Sequence, residues 1–151
     1  MLVDSRDLQW LLMFAVVASL CGCNSSKFDL APVSGVVTLD GEPVADARVI
    51  FEPQRTGQEA LSAGPSSNGV TDDEGRFTLE TTVEGHRGAV VGAHTVTVST
   101  YLAEIDRTKD TSRIIRQEEI PARYQEPGAL TFTVPSDGTT TADFSLTRKE
   151  E

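Results

Sequence analysis

The chain has 151 residues, of which 38% are hydrophobic, and a formal net charge of −10 at pH 7. This length is typical of one domain, and its 13 basic residues are too scattered for a nucleic-acid surface, which needs clustered lysine and arginine. Both cysteines stand together at Cys21 and Cys23. The residues after them therefore contain no thiol for a disulfide, a zinc-thiolate site or a thiol nucleophile.

An apolar run of eleven residues, WLLMFAVVASL, occupies positions 10–20. A helix needs about 20 residues to cross a hydrocarbon core, whereas this length is typical of the apolar region of a signal peptide. The sequence Leu20-Cys21-Gly22-Cys23 resembles a bacterial lipobox, in which a small residue precedes a cysteine that is acylated and becomes the new N-terminus. Cys23 is therefore the expected lipidation site, after a signal peptide at 1–22. Ordinary secretion with cleavage near Gly22 and a buried N-terminal helix are the alternatives.

The lipobox resemblance implies a protein that is exported and anchored to a membrane of the cell envelope, on its periplasmic or outer face. One acyl chain anchors a protein only marginally, and two or more anchor it stably. A Cys23 that carries palmitate and further acyl chains is thus expected to stay at the membrane. Residues 23–32 are small and polar with one aromatic, which is typical of a tether between the lipid and a folded domain.

From residue 33 onward, apolar and polar residues alternate with the period of two that is typical of strands. Turn signals separate the alternating segments. In DGEPV, residues 40–44, Gly41 is expected at positive φ. In TDDEG, Asp72 is expected to accept backbone N–H bonds while Gly75 takes positive φ. The alternation predicts seven strands, within residues 33–39, 47–53, 69–80 (two strands around the turn), 94–100, 130–134 and 141–146.

Seven short strands joined by such turns predict an all-β fold, a two-sheet antiparallel sandwich. Each face supplies only two or three apolar side chains per strand, so neither sheet is stable until the two faces meet. Two connections, residues 54–68 and 102–119, are too long for hairpins, and loops of this length are either functional or mobile. Within the second, residues 111–119 carry the sole hint of a helical repeat.

Three stretches resemble the carboxypeptidase regulatory-like, transthyretin-like domain: VSGVVTLDGEPVADARVIFEP, GVTDDEGRFTL and GAVVGAHTVTVS. The resemblance implies a seven-stranded antiparallel prealbumin-like β-sandwich over residues 33–147, a charged tail at 148–151 and an accessory role without catalysis. His94 occupies a position where the family usually has an aromatic, and we expect its imidazole to cap the edge of the core. The matching positions are Gly35, Val37, Gly41, Pro43, Val44, Ala47, Val49, Thr71, Asp72, Gly75, Phe77, Gly92, Val96 and Val98.

Three groups of residues could carry chemistry. The acids of residues 71–75 could ligate calcium, but they lack the alternate spacing of a calcium loop, so a turn is favoured. His86 and His94 could hold a transition metal together with Glu84, but their spacing does not place them on one face of an element, and separate structural roles are favoured. The serines of residues 64–69 lack the strand-to-helix context of a nucleophile. We therefore expect no enzyme activity, no cofactor and no bound metal.

These observations predict a non-catalytic, membrane-anchored envelope lipoprotein that acts as a structural or protein-interaction module, with residues 54–68 and 102–119 as its contact segments. The alternative is a carbohydrate-binding module on the cell envelope, in which exposed aromatic rings stack on sugars. Tyr101 and Tyr124 are the candidate binding residues, although Tyr124 could instead pack its ring and find a partner for its hydroxyl. The expected partners are the membrane, through the N-terminal lipid, and an envelope protein or a polysaccharide, but no nucleic acid.

Overall fold

A computed structural model of the chain describes residues 28–55, 63–83 and 86–149. These residues form an all-β protein, as the alternation predicts, with one turn of 3-10 helix at Ala122–Tyr124 and no helix long and apolar enough to cross a membrane. A strand lies at each of the seven predicted positions. The strands in the described ranges are β1 Leu30–Ala31, β2 Ser34–Leu39, β3 Glu42–Pro43, β4 Arg48–Pro53, β5 Ser67–Val70, β6 Arg76–Thr78, β7 Glu80–Thr81, β8 Ala89–Val90, β9 Gly92–Ser99, β10 Leu102–Asp106, β11 Thr111–Arg116, β12 Leu130–Val134 and β13 Phe144–Leu146.

The larger sheet of the described chain has five strands in the order β12-β9-β4-β5-β7, and all neighbours are antiparallel. Side chains alternate between the two faces of a strand. Val96 and Val98 of β9 are therefore buried on one face, and so are Val49 and Phe51 of β4. This sheet presents a single apolar face, as the period of two predicts.

The second sheet is built around β2, which pairs with β3 and β6 on one side and with β13 on the other. β3 and β6 are antiparallel to β2, but β13 is parallel to it, with Phe144 opposite Val37. The prediction of a purely antiparallel sandwich is wrong at this pair. The reason is the path of the chain after β12: it reaches the start of β2, where Ser34 donates a backbone hydrogen bond to Thr139, and then runs along β2 in the same direction.

The two sheets pack face to face through one cluster of buried side chains. The ring of Phe51, in the larger sheet, lies 6.4 Å from that of Phe77 and 6.1 Å from that of Phe144 in the second sheet, measured between centroids. Aromatic pairs at such distances are favourable beyond the area they bury. The buried apolar residues of the cluster are Ala31, Val33, Val37, Leu39, Val44, Ala47, Val49, Phe51, Phe77, Leu79, Ala89, Val96, Val98, Ile120, Val134, Ala142, Phe144 and Leu146.

The folded part begins before residue 33. β1 pairs with β8, and Ala31 is buried. The last residues of the segment predicted to be a tether therefore belong to the β-fold. The segment 102–119, predicted to be a long loop, contains β10 and β11, and its hint of a helical repeat is wrong because residues 111–116 form a strand.

The ends of β9 define two ends of the molecule. Directly before its first residue, the backbone N–H of Val91 donates to the carbonyl oxygen of Asp29 (2.9 Å), so the N-terminal segment enters the fold here. After its last residue, Ser99, the chain leaves the sheet for β10. Eight residues of strand span about 23 Å. We call the side of Asp29 the entry end and the side of Ser99 the arm end.

Candidate interaction surface

Strands β10 and β11 form a hairpin, which we call the arm (residues 102–116). In the described chain the arm is a two-stranded sheet of its own, separate from the two main sheets. Ala103 lies opposite Ile114, but Leu102 lies opposite Arg116, so a β-bulge inserts Ile115 as an extra residue on β11. The turn of the hairpin includes Asp110, whose φ of +51° is one that aspartate adopts more readily than most residues.

Exposed apolar side chains are concentrated on the arm. Seven large apolar side chains are exposed among the described residues, and five of them belong to the arm or to the residue before it. These five are Tyr101, Leu102, Ile105, Ile114 and Ile115. Ile105 is the most exposed, at 68%, while the other two of the seven, Val70 and Val83, are single residues on the body. Clustered exposed apolar side chains are typical of interaction sites, whereas scattered ones are normal on any surface.

The two strands of the arm carry opposite charges. β11 contains Arg113 and Arg116 and no acid, whereas β10 contains Glu104 and Asp106 and no base. The Nη2 atom of Arg113 lies 3.5 Å from Oε2 of Glu104, but both side chains are mostly exposed, so this ion pair contributes little to stability. The arm therefore has a positive edge on β11 and a negative edge on β10.

One carboxylate joins the two chain segments at the foot of the arm. Glu118 accepts hydrogen bonds from the hydroxyl of Ser99 (2.5 Å), from the N–H and hydroxyl of Thr100 (3.0 and 2.9 Å) and from the N–H of Ile120 (3.0 Å). Burial raises the pKa of Glu118, but these hydrogen bonds outweigh burial and hold the pKa below its ordinary value. This carboxylate therefore bonds to both the segment that enters the arm and the segment that leaves it, and the hydroxyl of Thr100 adds a second link by accepting from the N–H of Glu119 (2.7 Å).

Arg116 makes a second connection between the arm and the body. Its guanidinium donates to the backbone carbonyl oxygen of Asp46 (2.8 Å) and to the carboxylate of the same residue (2.9 Å). Asp46, at φ +54°, lies two residues before Arg48, the first residue of β4. The side chain of Arg116 is 31% exposed, so this pair is better shielded from water than the pair between Arg113 and Glu104.

The two tyrosines predicted to bind differ in their surroundings. Tyr101, directly before the arm, is 51% exposed. Tyr124 lies in the 3-10 turn and packs against the core. Its hydroxyl accepts a hydrogen bond from the N–H of Thr147 (3.3 Å), and the guanidinium of Arg123 lies 4.6 Å from the ring centroid. Arg123 thus occupies one face of the Tyr124 ring, and Tyr101 is the more accessible of the two.

The residues expected at turns lie at turns. Gly41, at φ +87°, belongs to the two-residue connection between β2 and β3. Asp72 accepts hydrogen bonds from the backbone N–H groups of Arg76 (2.8 Å) and Glu74 (3.0 Å), and these bonds, that of Arg76 foremost, hold the pKa of Asp72 below its ordinary value. Gly75 is at φ +73°, and a Cβ atom there would lie 2.5 Å from a carbonyl oxygen of β2. Asp72 is therefore engaged in holding the turn itself.

His94 lies inside the core rather than at its edge. Its side chain is 1% exposed, its ring centroid is 5.6 Å from that of Phe51, and its Nδ1 atom is 3.0 Å from the carbonyl oxygen of Gly92. Its Nε2 atom has no hydrogen-bond partner among the described residues. Burial lowers the pKa of His94 more than the bond to Gly92 raises it. The expectation that this imidazole caps the core edge is wrong, because the ring is buried as an aromatic side chain would be.

Several predicted features lie outside the described residues. These are the signal peptide at 1–22, Cys23 with the rest of the tether up to residue 27, residues 56–62 of the predicted loop 54–68, Glu84, and residues 150–151 of the charged tail. The end of that loop, Ser67, is buried at the start of β5. Within the described ranges, no group of three histidine, cysteine or acidic side chains is placed to hold a metal ion.

The arm is the feature that sequence reasoning missed. Its two strands, LAEID and TSRIIR, contain β-branched residues and are separated by a short polar stretch, which is a hairpin signal. The signal is weak because the turn, RTKD, contains no glycine and because the bulge interrupts the alternation on β11.

No family model matches the chain, and no curated protein matches it. Among solved structures, a 9R-lipoxygenase from Cyanothece PCC8801 is similar with 15% identity and a TM-score of 0.38; the match covers 94% of this chain but 22% of the lipoxygenase. A candidate carbohydrate-binding protein from Pseudomonas aeruginosa is similar with 13% identity and a TM-score of 0.39, over 83% of this chain and 92% of that one. TM-scores this low do not support an inference about fold or function.

Proposed function

We propose that the chain is a non-catalytic, lipid-anchored protein of the cell envelope whose arm contacts another envelope protein. The observation that carries this proposal is the concentration of exposed apolar side chains on the arm, five of the seven in the described residues. Removing apolar surface from water is favourable by about 25 cal/mol per Å², before the entropic costs of association are subtracted. Glu118 and Arg116 hold the arm to the body, so that these side chains are presented in a defined place.

The anchor and the arm would lie at opposite ends of the molecule. Cys23 precedes Phe28 by five residues, and five residues reach at most about 18 Å. The chain then enters the fold beside Val91, whereas the arm leaves the fold after Ser99, about 23 Å away along β9. An acylated Cys23 would keep the entry end at the membrane and leave the arm facing away from it. This placement supports a partner other than the anchoring bilayer.

For the body we propose a seven-stranded transthyretin-like sandwich, as the sequence resemblance implies, but with β13 parallel to β2. Its principal strands would be β2, β4, β5, β6, β9, β12 and β13, with the six other described strands as additions. Support comes from two glycines of the family pattern, Gly35 and Gly75, because a Cβ atom at either position would meet backbone atoms of a neighbouring segment.

Expression of the full chain in a bacterium tests the anchor. We expect the mature protein in the membrane fraction, released by detergent but not by salt, with an acyl mass gain on Cys23. Cys23→Ala should block processing, whereas Cys21→Ala, the matched change of the other cysteine, should be processed and anchored like the wild type. An unmodified mature Cys23, or normal anchoring of Cys23→Ala, contradicts the proposal.

Photocrosslinking in the native cells tests the contact. A photoreactive amino acid at Ile105, on the arm, should crosslink to a protein neighbour. The same group at Val83, an exposed apolar site on the body, is the matched control and should not capture that neighbour. The absence of a protein neighbour at Ile105, or the same neighbours at both sites, would count against the arm as the contact element.

A second candidate function, carbohydrate binding, is favoured by the exposure of Tyr101. A ring that is half exposed beside the arm could stack on a sugar. A glycan array with the full chain in detergent separates the two candidates. Reproducible glycan binding that is lost in Tyr101→Ala and retained in Ile105→Ala would favour the carbohydrate function over protein contact.

A further inference from the structure

We propose that the partner adds to the arm as a third strand, on the outer edge of β11. The added segment would be an extended stretch of a protein in which acidic residues alternate with apolar ones. This inference rests on the proposed function, in which the arm is the contact element, and it specifies the chemistry of the partner and the mode of contact.

β11 offers the backbone groups that strand addition needs. One side of β11 pairs with β10, and in the described chain no strand pairs with its other side. The outer edge of such a strand presents a row of N–H and C=O groups to which another chain can pair. β11 contains no proline to block that edge, and its bulge lies near its end. An isolated two-stranded hairpin is marginal in water, so a third strand would stabilise the arm as it binds.

The side chains of β11 favour an acidic and apolar segment. Arg113 is 78% exposed, and a carboxylate opposite it on an added strand would form an opposite-charge pair worth about 0.2–1 kcal/mol. Ile114 and Ile115, each about half exposed, would lose water contact against apolar residues of the same segment. The same segment on the other edge would place its acids beside Glu104, and like charges opposite each other are destabilising. The charges thus select β11 over β10.

A second copy of the chain fits this edge poorly. Antiparallel pairing of β11 with itself about its centre would place Arg113 opposite Ile114 and Arg116 opposite Thr111 of the other copy, so neither arginine would face a carboxylate. Pairing of β11 with β10 of another copy would satisfy the charges, but it would repeat the molecule about every 10 Å, since strands lie about 4.8 Å apart. By the same spacing the five-stranded sheet of the body is about 19 Å wide. Adjacent bodies would therefore collide.

Peptide titration of the full chain in detergent micelles tests the inference. The probes are a seven-residue peptide that alternates valine and glutamate and a matched peptide with lysine in place of each glutamate. The readout is the backbone amide NMR spectrum. We expect saturable shifts confined to residues 111–116 and their neighbours on β10, with the glutamate peptide binding about fivefold more tightly than the lysine peptide.

Charge reversal supplies the control. Arg113→Glu removes an exposed and weakly paired guanidinium, so the fold should persist while the preference turns toward the lysine peptide. Arg87→Glu makes the same change at an exposed arginine outside the arm and should keep the wild-type preference. The inference is overturned by equal affinity for both peptides, by shifts centred on the outer side of β10 or on the body, or by no saturable shift at millimolar peptide.

These outcomes are distinguishable from a failure of the proposed function. A crosslink at Ile105 in cells, combined with no peptide preference in solution, keeps the arm as the contact element and rejects addition of an acidic strand. The absence of a crosslink at Ile105 rejects the arm as the contact element, and this conclusion holds for any result of the peptide titration.

Discussion

The core around Phe51 and the arm are both built from short antiparallel strands, yet the first buries its side chains and the second does not. Four aromatic rings, those of Phe77, His94, Phe132 and Phe144, have centroids 5.6 to 6.4 Å from that of Phe51. On the arm, Ile105 remains 68% exposed. Strand pairing satisfies backbone groups in both regions, but burial of side chains requires a second layer, and the body has two packed sheets where the arm has one hairpin.

The two regions are consequently held in different ways. The body is held by packing of apolar side chains from its two sheets. The arm is held at its foot by polar contacts, those of Glu118 and of Arg116 with Asp46. Substitutions should therefore have large effects in the core, intermediate effects at the foot and small effects along the arm.

The largest effect is expected in the core. Phe51→Ala should lower the free energy of unfolding by about 3–5 kcal/mol, because it removes a fully buried ring and leaves a cavity. Ile105→Ala, the matched change on the arm, should lower it by less than about 0.5 kcal/mol. Urea denaturation followed by circular dichroism measures both values. Similar losses in the two variants would mean that the arm is packed against the body in solution, and the comparison would fail.

The buried imidazole should make the core sensitive to pH. Because burial lowers the pKa of His94, the folded chain resists a proton that the unfolded chain binds at the ordinary pKa of 6.5. Stability should therefore fall as the pH drops below about 6.5, by at most about 1.4 kcal/mol per pH unit from this group. The stability difference between the wild type and His94→Phe, measured by urea denaturation from pH 7.5 to 5, isolates that slope. A stability difference between these two chains that stayed constant over this pH range would contradict the role of the buried imidazole.

An intermediate effect is expected at the foot of the arm. Glu118→Gln removes a charged acceptor of four hydrogen bonds and should speed amide exchange in residues 102–116 about fivefold, which corresponds to about 1 kcal/mol. Because the pKa of Glu118 is lowered in the folded chain, its contribution is present above the ordinary carboxyl pKa of 4.5 and is lost as the pH falls through the folded value. Glu119→Gln, the neighbouring exposed acid, should leave exchange unchanged. Equal amide exchange rates in the two variants would contradict the role of Glu118 in holding the arm.

The smallest effect is expected on the arm itself. Arg113→Ala should change the free energy of unfolding by less than about 0.5 kcal/mol, because its pair with Glu104 is exposed and 3.5 Å long. Arg116→Ala, at the partly buried pair with Asp46, should cost more. Thermal unfolding at low and high salt compares them. A loss in Arg113→Ala that matched that of Arg116→Ala would show that the two pairs are equally shielded.

Local chemistry predicted the turns and the inward faces. The Asp-Gly pair ending at Gly41 takes positive φ because the hairpin connection requires it, and Gly75 does so against the backbone of β2. Val96 and Val98 share a face because successive side chains of a strand point to opposite sides. These properties depend on residues that are close in the chain, so the sequence pattern was sufficient.

The arm and the direction of β13 were not predicted. On the arm, the bulge at Ile115 breaks the alternation. The positive φ of the turn is taken by Asp110, and the sequence has no glycine there to indicate a turn. β13 runs parallel to β2 because of the path by which the chain returns after β12, and the alternation of apolar residues is the same for either direction. The burial of His94 was missed because an imidazole is found both inside proteins and at their surfaces.

By itself, the sequence determined where the main strands and turns of the body form and which of their apolar side chains face inward, because backbone sterics and the two-residue period act within a few residues. The tertiary structure alone decided which faces find a second layer. Phe51 and Ile105 are both apolar side chains on strands, and one is buried while the other is exposed. Burial depends on the residues that face a side chain from the other sheet. For Phe51 these include Phe77 and Phe144, which are distant from it in the chain.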